Sequence, residues 1–325
     1  MQSGPLTIWC NARLTESAMT LLKAGVADHT FIVAARVVNN VEPSQTDPRL
    51  PEADIAFGQP DPGQMMASPK LKWIQLSSAG YARYDRQDLK DALVARGAML
   101  SNSSSVYCEA VAQHTAAQIL AASRQLHAAY DNQRGKHEWL AARIRSRSQV
   151  LEGQTILILG FGAIGRRLSE MLRPFRVKLL AVRRTVRGDE PVPTFPMTEM
   201  DRLLAEANHV VSILPGGDST TQIIDARRLA LMKPSAVFHK VGRGTTVDQS
   251  ALRSALGAGQ LAAAYLDVMN PEPLAPDDPL WTTPNCFITP HTAGGSDDEF
   301  ERVVRHFLQN LKRFIQGESL RDRVY

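Results

Sequence analysis

Three side chains suited to proton and anion chemistry follow three apolar runs. They are Arg243 after "AVFHKV" (236–241), Glu272 after "AAAYLDV" (262–268) and His291 after "CFIT" (286–289). An arginine fork grips a carboxylate and polarises an adjacent carbonyl. A histidine titrates near neutrality, so it gives and takes a proton. A carboxylate beside it holds the ring, stabilises the imidazolium and raises its pKa. The set suits hydride transfer to a 2-oxo acid. Each residue alone has a plainer reading: Arg243 as a cap on a sheet, Glu272 as a turn residue between prolines, His291 as a satisfied polar residue in a loop. Strands of one parallel sheet end at one edge, and ligands of open α/β sheets bind beyond that edge. The strand assignments therefore predict that the three converge.

The elements that must position them alternate throughout the chain. Short apolar runs are separated by helical patterns, the mark of parallel sheets covered by helices. In the first hundred residues the runs are 6–10, 30–34, 53–57, 71–76 and 97–100, with helices expected over 15–25 and 86–96. A second series starts near Gly153 with runs at 155–160, 177–182, 209–214, 236–241, 262–268 and 286–289. These are continuously apolar, as strands buried on both faces should be. Between the two series, 106–130 reads as one long alanine-rich helix with Ser103 to Ser105 available as caps. It is too apolar to lie alone in water, so it must pack on another domain or a second subunit. A last amphipathic helix is expected over 297–316.

"TILILGFGAIGRRLSEML" carries Gly160, Gly162 and Gly165 in G-x-G-x-x-G spacing, with a buried strand ending at Gly160 and a helix opening at Ala163. That context points to a dinucleotide. Gly160 permits the tight turn, Gly162 lets the backbone approach a pyrophosphate, and Gly165 lets helix and strand pack closely. The helix N-terminus offers its free N–H groups to the phosphates. A tight turn without a ligand is the alternative. The second strand of such a unit commonly ends in an acid that binds the ribose 2′-OH. Here it ends in Arg183 and Arg184. Arginine suits a 2′-phosphate, so NADP(H) is expected over NAD(H), with two solvated arginines as the alternative.

The chain of 325 residues is long enough for two domains, and its 44% hydrophobic content allows a sizeable core. A net charge of +4, spread along the chain, gives no reason to expect a nucleic-acid partner. The one dense basic run, "RIRSR" (143–147), reads as a solvated loop or helix end. "MQSGPLTIWC" is not a signal peptide pattern, and no apolar window is long enough for a membrane span. Three dispersed cysteines without CxxC spacing fit a reduced, cytoplasmic setting with no metal site.

"KVGRGTTVD" (240–248), "LDVMNPEPL" (266–274), "TPHTAGG" (289–295) and "GFGAIG" together resemble the D-isomer-specific 2-hydroxyacid dehydrogenase family. "LKWIQLSSAGYARYD" (71–85) is similar to its substrate-domain loop, and "VAQHTAAQILAASR" (111–124) to its inter-domain helix. "AVRRT" is similar to NADPH-using glyoxylate/hydroxypyruvate reductase members. The resemblance implies an α/β protein of two doubly wound parallel-sheet domains. One is a Rossmann cofactor domain over 103–295. The other is a smaller, flavodoxin-like substrate domain, discontinuous over 1–102 plus 296–325, with a cleft between the two. It implies a homodimer formed through the cofactor domain and helix 106–130.

Carried onto this chain, the resemblance implies that Arg243 binds the substrate carboxylate, Glu272 partners the histidine and His291 is the acid/base. It implies backbone N–H donors to that carboxylate at Ser78, Ala79 and Gly80. Gly160, Gly162, Ala163, Ile164, Gly165, Arg183, Arg184, Pro215, Thr220, Val241 and Gly242 are the implied cofactor contacts, with Asp267 facing the nicotinamide carboxamide. Two departures stand out: Lys240 where the family often has asparagine, and Gln113 where it often has glutamate. The same scaffold also hosts phosphoglycerate and phosphite dehydrogenation, and dinucleotide-sensing binding proteins share the fold.

Overall fold

Among the described residues, runs of β-branched and aromatic residues bounded by turns form twelve strands in two separate sheets. The computed structural model describes residues 4–40 and 42–325. The first three residues of the "MQSGPLTIWC" stretch and of the expected 1–102 segment lie outside the described residues. The chain divides into two compact units, Met1–Tyr107 with Ser296–Tyr325, and Cys108–Gly295.

The first unit holds β1 (Thr7–Ala12), β2 (Thr30–Val38), β3 (Ile55–Gly58), β4 (Trp73–Leu76) and β5 (Met99–Ser101). They pair in parallel in the order β2-β1-β3-β4-β5, the flavodoxin-like arrangement. Alternate residues feed two cores. Ile8, Cys10, Ile55, Phe57 and Trp73 meet helices Glu16–Gly25 and Glu299–Gln316 on one face. Trp9, Ala56, Ile74 and Leu100 meet helix Gln87–Ala95 on the other. The C-terminal helix is tied in by stacked rings: Phe307 lies 4.4 Å from Phe57 and 5.3 Å from Trp73.

The second unit holds β6 (Thr155–Leu159), β7 (Lys178–Arg183), β8 (Thr194–Pro196), β9 (His209–Ser212), β10 (Val237–Lys240), β11 (Ala263–Leu266) and β12 (Cys286–Ile288). All pair in parallel, in the order β12-β11-β10-β9-β6-β7-β8. This is the Rossmann order, with its switch point between β6 and β9. β8 is a strand that sequence patterning misses, because "TFP" is short and ends in proline.

The expected single helix over 106–130 is two helices, Ser104–Ser123 and Leu126–Arg134. The break is at Gln125, left-handed at φ 56°, whose side-chain amide donates to Ala122 O at 2.9 Å and closes the turn. The first helix buries Val111, Ala112, Thr115, Gln118, Ile119 and Ala122, a stripe at three- and four-residue spacing. The second helix and its successor, Ala141–Arg147, bury none of their residues. Among the described residues no helix is long and apolar enough to cross a membrane.

Candidate functional site

Every residue expected in the second unit's site lies at or just beyond the C-terminal end of a strand, apart from the helix-opening Ala163, Ile164 and Gly165. At the switch point β6 runs into Gly160, whose φ of +92° suits glycine. A Cβ on Gly165 would stand 2.9 Å from Gly160 O, so helix Ala163–Leu172 can lie this close to β6 only without one. Gly162 caps that helix without a side chain, and a Cβ added there would meet nothing within 4 Å. The cradle is therefore open at Gly162, with the first-turn amides of Ala163, Ile164 and Gly165 free of any capping side chain. That fits a pyrophosphate. Loop 215–220 closes on itself, with Thr220 Oγ1 donating to Pro215 O at 2.7 Å. Val241 and Gly242 are buried immediately after β10.

β7 ends at Arg183, the first of the two arginines expected at the coenzyme ribose, and its guanidinium is paired within the loop. Arg183 Nη1 is 2.8 Å from Glu190 Oε1, and Glu190 also accepts the N–H groups of Arg187 and Gly188, each at 2.9 Å. Gly188, at φ +85°, turns the chain back so that Glu190 can reach. Arg184 is exposed.

Beyond β10, β11 and β12 lie Arg243, Glu272 and His291, and the last two meet. His291 Nδ1 lies 2.7 Å from Glu272 Oε2, while Glu272 Oε1 accepts Met269 N–H at 2.7 Å. His291 itself is in the left-handed region at φ 53°, a strained setting for a histidine. It is held there by its N–H, which donates to Asp267 O at 2.8 Å. Arg243 is half-buried, with Nη1 donating to Gly242 O at 2.8 Å.

The charges tune one another. The hydrogen bond to Glu272 raises the His291 pKa above its ordinary 6.5, against the effect of partial burial. Burial pushes the Glu272 carboxyl up. The hydrogen bonds from His291 and Met269, with the charges of His291 and Arg243, outweigh it and leave the carboxyl below 4.5. Burial lowers Arg243. The arrangement is a protonatable ring held by a carboxylate that stays ionised, with a guanidinium close enough to be felt by both.

Asp267, expected to face the nicotinamide carboxamide, makes its contacts within the protein at the His291 turn. Asp267 is 1% exposed, and its Oδ1 accepts Thr289 Oγ1 at 2.7 Å and Thr292 N at 2.9 Å. Ala293 N–H donates to both carboxylate oxygens at 3.1 Å. Asp267 thus fixes the turn that carries His291. Sequence reasoning did not find Thr289 or His114, whose Nε2 is 3.2 Å from Thr289 Oγ1. In sequence His114 shows only as a polar residue in an alanine-rich helix, and it is half-buried beside that helix's buried stripe. Lys240 is fully buried at the end of β10, opposite Ser212 in register.

In the first unit, Ser78, Ala79 and Gly80 follow β4 at the C-terminal edge of that sheet. Their carbonyls are all engaged from within the unit. Ser103 N–H donates to Ser78 O at 3.0 Å, Asn102 Nδ2 to Ala79 O at 2.9 Å and Ser78 Oγ to Gly80 O at 2.7 Å.

Residues 116–293 match the model of the NAD binding domain of D-isomer specific 2-hydroxyacid dehydrogenases. The chain belongs to this family. A glyoxylate/hydroxypyruvate reductase B from Escherichia fergusonii is 34% identical over 253 residues, covering 77% of the dehydrogenase and 76% of that relative. D-3-phosphoglycerate dehydrogenase from Mycobacterium tuberculosis is 29% identical over 280 residues, 85% of this chain. The dehydrogenase spans about half of that longer relative, 52%. Among solved structures, it is similar to an NADPH-dependent glyoxylate/hydroxypyruvate reductase from Sinorhizobium meliloti in complex with NADP and malonate. That likeness has a TM-score of 0.75 at 25% identity, over 99% of this chain and 97% of the other. The dehydrogenase is accordingly an NAD(P)-dependent enzyme.

Proposed function

We propose that the dehydrogenase reduces a small 2-oxo acid of the glyoxylate or hydroxypyruvate kind to the D-2-hydroxy acid, with NADPH as the preferred coenzyme. The observation that carries this reading is the 2.7 Å contact between His291 and Glu272, with Arg243 after the neighbouring strand. The bound nicotinamide dinucleotide supplies the hydride. Arg243 grips the substrate carboxylate and draws charge from the adjacent carbonyl. Protonated His291 gives its Nε2 proton to the oxygen on which negative charge develops, while Glu272 holds Nδ1 and the resulting tautomer.

Two observations support NADPH: the exposed Arg184 immediately after β7, and the NADP in the Sinorhizobium relative. We also infer a homodimer formed through the second unit. Its helices Leu126–Arg134 and Ala141–Arg147 have no fully buried residue, and Trp139 between them is 96% exposed. Sedimentation should give twice the chain mass.

Initial rates with a panel of 2-oxo acids against NADPH and NADH test the reaction. Fastest turnover of glyoxylate or hydroxypyruvate with NADPH is expected. Oxidation of 3-phosphoglycerate with NAD, and no reduction of either 2-oxo acid, would replace this reading by the phosphoglycerate one.

A further inference from the structure

The loop after β7 contains an anion site that is already filled. Glu190 Oε1 takes Arg183 Nη1 at 2.8 Å and Arg187 N–H at 2.9 Å, and Oε2 takes Gly188 N–H at 2.9 Å. Two consecutive backbone N–H groups and a guanidinium are the kind of concavity that binds phosphate oxygens. Its occupant is the loop's own carboxylate. The Glu190 side chain is 3% exposed and that of Arg183 is 18% exposed. A ligand phosphate would have to eject a buried, fully bonded carboxylate to enter. Arg183 and Glu190 together are neutral, so the pair offers little attraction to a dianion. Arg184, one residue on, is exposed and adds a full charge.

We propose a division of labour in the coenzyme loop. Glu190 is a positioning residue that pins Arg183 and the 187–188 turn into a rigid frame, and Arg184 is the side chain that reads the coenzyme 2′-phosphate. This rests on the NADPH reading above and adds a residue to it. Glu190 sits among Gly188, Asp189 and Pro191, where it reads as loop polarity. Its negative charge near a phosphate subsite would otherwise count against NADPH. In the frame its charge is spent on Arg183 and two amides, so it shapes the subsite without repelling the ligand.

Calorimetry with 2′-AMP and 5′-AMP measures the subsite without turnover, and steady-state KM values for NADPH and NADH measure it in the working enzyme. Arg184→Ala should weaken 2′-AMP binding by about 10- to 100-fold and leave 5′-AMP nearly unchanged, as expected for loss of one charge-assisted contact. Glu190→Gln should raise the NADPH KM by about tenfold, with the NADH KM and kcat within about twofold. Glu190→Asp, which keeps the carboxylate, should recover part of the loss. Arg183→Ala should mimic Glu190→Gln, and the double variant should be no worse than either alone, the sign of one shared interaction.

Tighter 2′-AMP binding by Glu190→Gln would overturn the proposal, since Glu190 would then only damp Arg183. Equal changes for both coenzymes, or additive effects of Arg183→Ala and Glu190→Gln, would overturn it as well. A wild-type enzyme that binds 2′-AMP no better than 5′-AMP would instead remove the NADPH reading, and this proposal with it. Should Glu190→Gln unfold, Glu190→Asp and Arg184→Ala still decide the assignment.

Discussion

The two polar edges of the second unit are built on opposite plans. The loop after β7 is local: Arg183 and Glu190 are seven residues apart, and every contact of the Glu190 carboxylate lies within that span. The His291 cluster is distributed. His291 depends on Asp267 and Glu272, more than eighteen residues back along the chain, and Arg243 arrives from yet another strand end. What lies beneath differs too. Leu159 and Val182 end β6 and underlie the close of β7 as fully buried apolar residues, whereas Ser212 and Lys240 end β9 and β10 as fully buried polar ones. A local site tolerates editing one side chain at a time. A distributed one loses function as a unit. The largest contrast should appear in kcat. His291→Ala should lower it by roughly 10²–10⁴, with coenzyme affinity by calorimetry nearly unchanged. Glu190→Gln should leave kcat alone. Near-wild-type turnover by His291→Ala would remove the acid/base assignment and the contrast with it.

A smaller effect should separate the two floors. Burial pushes the Lys240 ammonium from 10.5 down to about 8, and its Nζ has no hydrogen-bond partner among the described residues. With the folded pKa below the unfolded one, the unfolded chain holds the extra proton between these values, so stability rises with pH across that window. Below it, the cost is on the order of 3 kcal/mol. Lys240→Met should therefore stabilise the protein by about 1–3 kcal/mol at neutral pH in denaturant melts, and the gain should fade as pH approaches the ordinary lysine value. Leu159→Met, on the apolar floor, should cost less than about 1.5 kcal/mol with no pH dependence. No gain from Lys240→Met at neutral pH would show that the ammonium is satisfied in solution.

How far each edge can be read from sequence follows from the same contrast. β10 and β11 are inner strands and β12 is a half-buried edge strand, yet the apolar runs of all three stand out and end within three positions of the observed ends. The residues after them could be placed at one edge by topology alone. Side-chain orientation could not. Asp267 inside "YLDV" faces the His291 turn because Thr289, Thr292 and Ala293 offer it donors, and nothing in strand periodicity encodes that. The role of Glu190 is hidden for a different reason. A stretch holding Gly188 and Pro191 has no period, so a seven-residue contact across it leaves no pattern. The break at Gln125 is likewise silent, since no glycine or proline marks it. Lys240 reads as an ordinary strand end, and its burial becomes visible only when β9 and β11 are known to flank β10.

The smallest effect concerns pH, and its sign distinguishes the edges most sharply. Glu272 raises the His291 pKa chiefly through their hydrogen bond. On the proposed mechanism His291 is protonated in reduction and unprotonated in oxidation, so kcat/KM for reduction should fall as pH rises through that raised pKa. Glu272→Gln removes the charge while its amide oxygen can still accept Met269 N–H, so the turn should survive. The His291 pKa should then drop, moving the alkaline limb of reduction to lower pH and reducing kcat/KM at pH 7.5 by about tenfold. In the oxidising direction His291 must be unprotonated, and the acid limb should move to lower pH as well, so oxidation below neutrality should suffer less than reduction at the same pH. Glu190→Gln should move neither limb. A Glu272→Gln enzyme whose limbs stay in place would mean that Glu272 holds the ring without setting its proton affinity. The distributed edge would then resemble the coenzyme loop, a frame rather than a tuned pair.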